Sequence, residues 1–184
     1  MYKKIFATIS LVGIGIVGRL VPHVPNATPI SAISLMGSKH IGRMWAVAIP
    51  IIAMIFSDAI IGFYNWKILV SVYISFVLIG LLSAFTKKYP GLVPTSFVLV
   101  GSSVIFFIVT NFTVWLCSPW YAKNIGGLLY AYELGLPFFR NMVVGDVVYA
   151  ASLFGVFEVV RRISVNRLYR LAGGVALLKK EEIL

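Results

Sequence analysis

Arg140, Asn141 and Asp146 stand within seven residues of one another in the run Phe138-Phe-Arg-Asn-Met-Val-Val-Gly-Asp-Val-Val, and every side chain around them is apolar or small. Asp58, beside Ser57, interrupts a second run of the same kind. A charged group in hydrocarbon costs a few kcal/mol or more, so such residues face a helix-bundle interior or a wet cavity. Two kinds of chemistry follow. Arg140 with Asp146, or Arg140 with Asp58, forms an internal ion pair that locks helices together. Alternatively the acids and amides are polar contacts for a ligand, and two uncompensated acids favour one bearing an amine or a ring N–H.

Around these runs the composition is that of a membrane. Of the 184 residues, 60% are hydrophobic and 12% charged, and the mean hydropathy is +0.96. Soluble domains carry about 25% charged residues. The formal net charge of +10 comes from 16 Lys and Arg against 6 Asp and Glu. The basic residues lie between apolar runs and at the C-terminus, the distribution expected of cytoplasmic loops, so lipid is the expected polyanionic neighbour and nucleic acid is not. Cys117 is the sole cysteine and cannot form an internal disulfide. Lys3 and Lys4 before an apolar run mimic a secretory signal, but no small-x-small cleavage site follows before Arg19, and the run is read as an uncleaved first span.

Six apolar segments position the polar residues. The first is Ile5 to Leu20, with Gly13, Gly15 and Gly18 giving it a thin, close-packing face. Pro22 and Pro25 break the chain after it. The second, Pro29 to about Ser38, is too short to span alone; either it crosses tilted with help from Asn26–Ala27 or it is a half-helix buried in protein. The third runs from Met44 to about Tyr64 with Pro50 as a kink, the fourth from Ile68 to Phe85, the fifth from Thr95 to about Leu116 and the sixth from Pro137 to Val160. Cys117 to Tyr132 reads as an aromatic loop. The expected fold is an all-α membrane protein, a six-helix transmembrane bundle whose second helix is short. The bundle occupies residues 1–160. Residues 161–184 form a basic cytoplasmic tail, carrying Arg161, Arg162, Arg167, Arg170, Lys179 and Lys180 on an interfacial helix.

With both termini inside, twelve of the sixteen Lys and Arg residues fall on the inner side; a five-span chain places eleven there. The charge rule therefore fixes an inner C-terminus and favours six spans. Asp58 then lies near the outer end of the third helix, with Asn65 and Trp66 on its face. Asn111 and Trp115 lie near the outer end of the fifth helix. Arg140 and Asn141 lie high on the sixth, with Asp146 deeper. Trp120 and Glu133 belong to the loop above. Together these ten residues describe an aromatic, acid-lined pocket open to the outside, a mostly apolar site with a few placed polar groups. Trp and Tyr at span ends also serve as interfacial anchors, and Asn111 equally suits a helix–helix hydrogen bond.

Signals of catalysis are missing. His23, His40 and Cys117 make no zinc signature, and no Gly-rich phosphate loop or Walker motif is present. Asp58 and Asp146 lack the flanking glycine pattern of an intramembrane aspartyl protease. No enzyme activity, cofactor or catalytic residue is expected.

Several of these stretches carry a resemblance. They are Arg19 to Thr28 leading into Pro29-Ile-Ser-Ala-Ile, Pro50 to Asp58 with Gly62 and Trp66, Thr110-Asn-Phe-Thr-Val-Trp115, and Gly127-Leu-Leu-Tyr-Ala-Tyr-Glu-Leu-Gly-Leu-Pro-Phe-Phe-Arg-Asn-Met-Val-Val-Gly-Asp146. In this order they resemble a group of uncharacterised bacterial transport-type membrane proteins. These are similar to the substrate-binding S components of energy-coupling factor (ECF) transporters. The resemblance reaches to about Gly155. It implies a six-helix bundle in the bacterial inner membrane with an extracellular-side ligand site, energised by a membrane T subunit and two ATPases. Where characterised S components often carry Ala-x-x-x-Ala on the first helix, this chain has Ala7 and Leu11. The expected function is capture of a small organic nutrient such as a vitamin. The alternative is a non-transporting scaffold of the cell envelope.

Overall fold

The computed structural model describes residues 2–89 and 91–181, with the side chains of Lys3 and of residues 165–181 excepted. Six α-helices are present among them: α1 (Tyr2–Leu20), α2 (Ile30–Met36), α3 (Trp45–Ile61), α4 (Trp66–Ala84), α5 (Leu92–Cys117) and α6 (Ile125–Glu181). A π-helical turn, Gly37–Ile41, extends α2, and a 3₁₀ turn, Phe85–Lys87, ends α4. Among the described residues three segments are long and apolar enough to cross a membrane: Trp66–Lys87, Leu92–Cys117 and Ile125–Ser164. The protein is a multi-pass, all-α helical bundle with a short second helix.

The short second segment is a buried half-helix. Every residue of α2 is buried, and it packs on α1, α3, α4 and α5. Its small residues allow this. On the facing helix, a Cβ at Gly15 would lie 2.6 Å from Ile33 Cδ1 and one at Gly18 2.5 Å from Pro29 Cγ. Gly15 and Gly18 of α1 are therefore spent on packing within the chain, whereas a Cβ at Gly13 would meet nothing within 4 Å.

Pro50 sits inside α3, as expected, and has no amide to offer the carbonyl one turn earlier. That carbonyl, Ala46 O, accepts instead from Ser34 Oγ of α2 at 2.7 Å. The third helix ends sooner than the apolar run implies. It stops at Ile61, and Gly62 follows at φ +102°, a conformation that L side chains rarely adopt. Asn65 then caps α4 by accepting from Lys67 N at 3.0 Å. Asp58 and the pair Asn65 and Trp66 consequently lie on different helices, and the shared face expected for them does not exist.

The sixth helix begins twelve residues earlier than Pro137, at Ile125. Asn124 is its N-cap, accepting from Gly127 N at 2.8 Å. The expected loop to Tyr132 contracts to residues 118–124, and Pro137 is an interior proline. Pro137 has no amide to offer Glu133 O, and α6 continues through it.

Contacts divide the chain into two compact units, Met1–Ala150 and Ala151–Leu184. In the second, Glu158 pairs with Arg161 at 2.8 Å and with Arg162 at 2.9 Å on its own helix. The other basic side chains of the expected interfacial tail lie outside the described residues.

Candidate functional site

The site is built at the end of the first unit where α1, α3 and α5 finish and α4 and α6 begin. Its base is an ion pair absent from the sequence expectation. Arg19 Nη2 lies 2.6 Å from Asp58 Oδ1, with the two side chains 14% and 1% exposed. The approach is ionic and lies off the direction of a hydrogen bond to that oxygen. The Asp58 Oδ2 atom accepts from the Tyr73 hydroxyl at 2.8 Å. Arg19 Nη1 donates to Ser57 Oγ at 2.5 Å and to Met54 O at 3.3 Å. Asp58 is therefore compensated by a cation and a phenol, and neither Arg140 nor a ligand amine is needed to hold its charge.

Above this pair opens a cavity of about 330 Å³, lined among others by Arg19, His23, Asn26, Tyr64, Phe76 and Phe106. A second cavity of about 490 Å³ shares Asn26, Tyr64, Val72 and Phe106 with it and continues to Asn111, Tyr121 and Phe138. Asn26 stands at the join with φ +66°. Asparagine tolerates this left-handed conformation because its short side chain bonds locally. Burial raises the Tyr64 phenol above its usual range, Asp58 adding to the effect and Arg19 opposing it, so Tyr64 presents a neutral hydroxyl.

Of the residues expected at the site, Asn111 is in place. It lines the larger cavity. Its amide nitrogen donates to Phe107 O at 2.9 Å. Its Oδ1 rests on Gly135, where a Cβ would come within 2.4 Å of it. Arg140 and Asn141 line a third, open cavity of about 650 Å³ with Gly145 and Tyr149, which shares His23 with the first. Trp115 does not line these cavities. Its indole donates to Ala122 O at 2.9 Å and its ring packs on Phe112. Lys123 bonds the carbonyls of Trp115 and Ser118, so this group ties α5 to α6. Trp66 and Trp120 are 68% and 83% exposed. Asn65 is the cap already described, and Glu133 lies exposed on α6. These last three aromatic and acidic side chains, with Trp115, lie outside the cavities, and the acid lining expected there is absent from the residues that form them.

Residues 1–168 match the model of a family of unknown function, DUF6580. The chain belongs to this family. No curated protein and no solved structure matches it.

In this DUF6580 chain Asp146 is set apart from the cavity floor. It is buried against α5, where Ser103 Oγ donates to its Oδ2 at 2.8 Å. No ion pair reaches it among the described residues; the expected partner, Arg140, is exposed.

Sequence reasoning missed Arg19, His23, Asn26 and Tyr64 at the site. The signal for Arg19 was present. It closes an apolar helix just before two prolines, while Asp58 interrupts another apolar run without a local base.

Proposed function

We propose that the protein is a substrate-capture subunit, S-component-like, for uptake of a small organic nutrient such as a vitamin. The observation that carries this reading is the pair of joined cavities at one end of an apolar bundle. Each has the volume of a small-molecule site, roughly 300–1,000 Å³, with apolar walls and few polar groups. In this reading the chain spans the bacterial inner membrane with both termini cytoplasmic, and the cavities open outward. A membrane T subunit and ATPases supply the energy; the subunit itself catalyses no covalent step.

The cavity chemistry revises the ligand. Asp58 is neutralised by Arg19, so the amine-bearing ligand expected from two free acids gives way to one rich in hydrogen-bond acceptors. Asn26, Tyr64 and Asn111 are the donors available to it, His23 adds a ring nitrogen as acceptor because its Nδ1–H is given to Val21 O, and Phe76, Phe106 and Phe138 are walls for a ring. Asn65, Trp66, Trp115, Trp120 and Glu133 take no part.

The test is untargeted mass spectrometry of small molecules that co-purify with the full-length protein. A compound enriched over a control membrane protein, which raises the melting temperature of wild type and not of His23→Ala/Tyr64→Phe, supports capture. Ligand at about 100-fold its Kd adds roughly 2.7 kcal/mol, enough to see. Absence of any enriched compound, with loss of cell shape on deletion, sinks the reading in favour of an envelope scaffold.

A further inference from the structure

Asp146 is a carboxyl group without a cation, enclosed by α2, α5 and α6. It is 1% exposed. Ser103 Oγ donates to its Oδ2 at 2.8 Å. Ser31 of α2, also 1% exposed, turns its hydroxyl toward the same carboxyl without completing a hydrogen bond. A bare carboxylate in such a place is costly, and these groups hold a partner or take up a proton.

Among the described residues the surroundings supply no ionised partner. The α2 segment Ile30–Met36 has no titratable side chain, and the only one on α5 is Cys117 at its far end. The 21–29 connection, whose Ala27 touches Gly145, contributes His23. That imidazole bonds Val21 O at 2.7 Å and lines the neighbouring open cavity with Arg140 and Tyr149. On α6 itself Arg140 and Tyr149 are the titratable groups nearest in sequence, Tyr130, Tyr132 and Glu133 lie toward its start, and Glu158 is taken by Arg161 and Arg162; none of them makes a salt bridge with Asp146 among the described residues. No group of three or more His, Cys, Asp or Glu side chains that could hold a metal ion exists among the described residues.

We propose that Asp146, Ser103 and Ser31 form a proton-binding site inside the bundle. Protonated on Oδ1, Asp146 donates to the unpartnered Ser31 Oγ while Oδ2 accepts from Ser103. One serine acts as acceptor and the other as donor, and both carboxyl oxygens are satisfied. On release the proton leaves toward the open cavity lined by Asn141, Gly145 and Tyr149 on the same helix. The site is independent of the nutrient-capture reading.

Infrared difference spectroscopy of the full-length protein in nanodiscs reads the acid directly. Between alkaline and neutral buffer, wild type should gain a protonated-carboxyl C=O band that Asp146→Asn lacks. At one intermediate pH the band should be weaker in Ser31→Ala, which removes the acceptor of the acid, and stronger in Ser103→Ala, which removes a donor to the carboxylate. A merely structural cluster moves both variants the same way. No band assignable to Asp146 at any pH, equal shifts in the two serine variants, or a band erased by Na⁺ at fixed pH would each overturn the proposal. Should Asp146→Asn fail to fold, the opposed serine variants and the Na⁺ titration still decide.

Discussion

Ser34 Oγ donates to Ala46 O at 2.7 Å, across from α2 to α3, and this is the carbonyl that Pro50 leaves without an amide. The proline and the serine are one device. Ser34→Ala strands a buried acceptor and should cost about 1–2 kcal/mol in unfolding of the detergent-solubilised protein. Ser34→Ala/Pro50→Ala restores an amide donor to Ala46. It should be less destabilised than the sum of the single variants; strict additivity would show the two to be unrelated.

The Arg19–Asp58 pair predicts an asymmetric mutational response. Arg19→Met or Asp58→Leu alone leaves a buried charge unpaired and should destabilise by about 3–5 kcal/mol. The double variant Arg19→Met/Asp58→Leu removes both charges and should recover most of the loss. Thermal unfolding of the four proteins measures the coupling. A double variant as unstable as the worse single one would place the cost in packing and not in charge.

Asn26 separates backbone from side chain. At φ +66°, Asn26→Gly should leave stability within a few tenths of a kcal/mol, while Asn26→Ala should lose about 1–2 kcal/mol. If Asn26 contacts the captured solute, Asn26→Gly melts normally and binds weakly. A normal ligand shift in that variant would confine Asn26 to a turn role.

Gly135 and Asn111 meet too closely for a methyl group. Gly135→Ala brings a Cβ to 2.4 Å from Asn111 Oδ1 and should cost about 1–3 kcal/mol. Gly135→Ala/Asn111→Ala removes the obstruction, and its melting temperature should rise above that of Gly135→Ala. A further fall would mean the clash is relieved elsewhere and the amide is needed.

Much of this architecture was legible in the sequence, because prolines and glycines punctuate apolar runs of membrane length. The short second segment, the interior Pro50 and the inward burial of Asp58 and Asp146 all follow from length and polarity. The start of α6 was misplaced because Pro137 reads as an initiator, while the true signal is a single capping residue, Asn124, before Gly126-Gly127. The partner of Asp58 was misassigned because ion pairing between separate helices depends on which ends meet. Arg140 and Arg19 are the same kind of residue, and only the fold brings Arg19 to Asp58. The tryptophans misled for a different reason. Their rings suit a membrane boundary or the α5–α6 connection as well as a pocket.

The complete burial of α2 has a consequence for how the protein is made. Seven residues cannot hold themselves across a bilayer, and their serines have no place in lipid. Its walls include α5, which emerges from the ribosome long after α2 does. Until then the early chain is a lodger without a room, kept at the insertion machinery or at the lipid–water boundary. Assembly is thus not a sequence of independent insertions. The first half of the chain is completed by the second, and a chain cut short before α5 leaves one wall of α2 open.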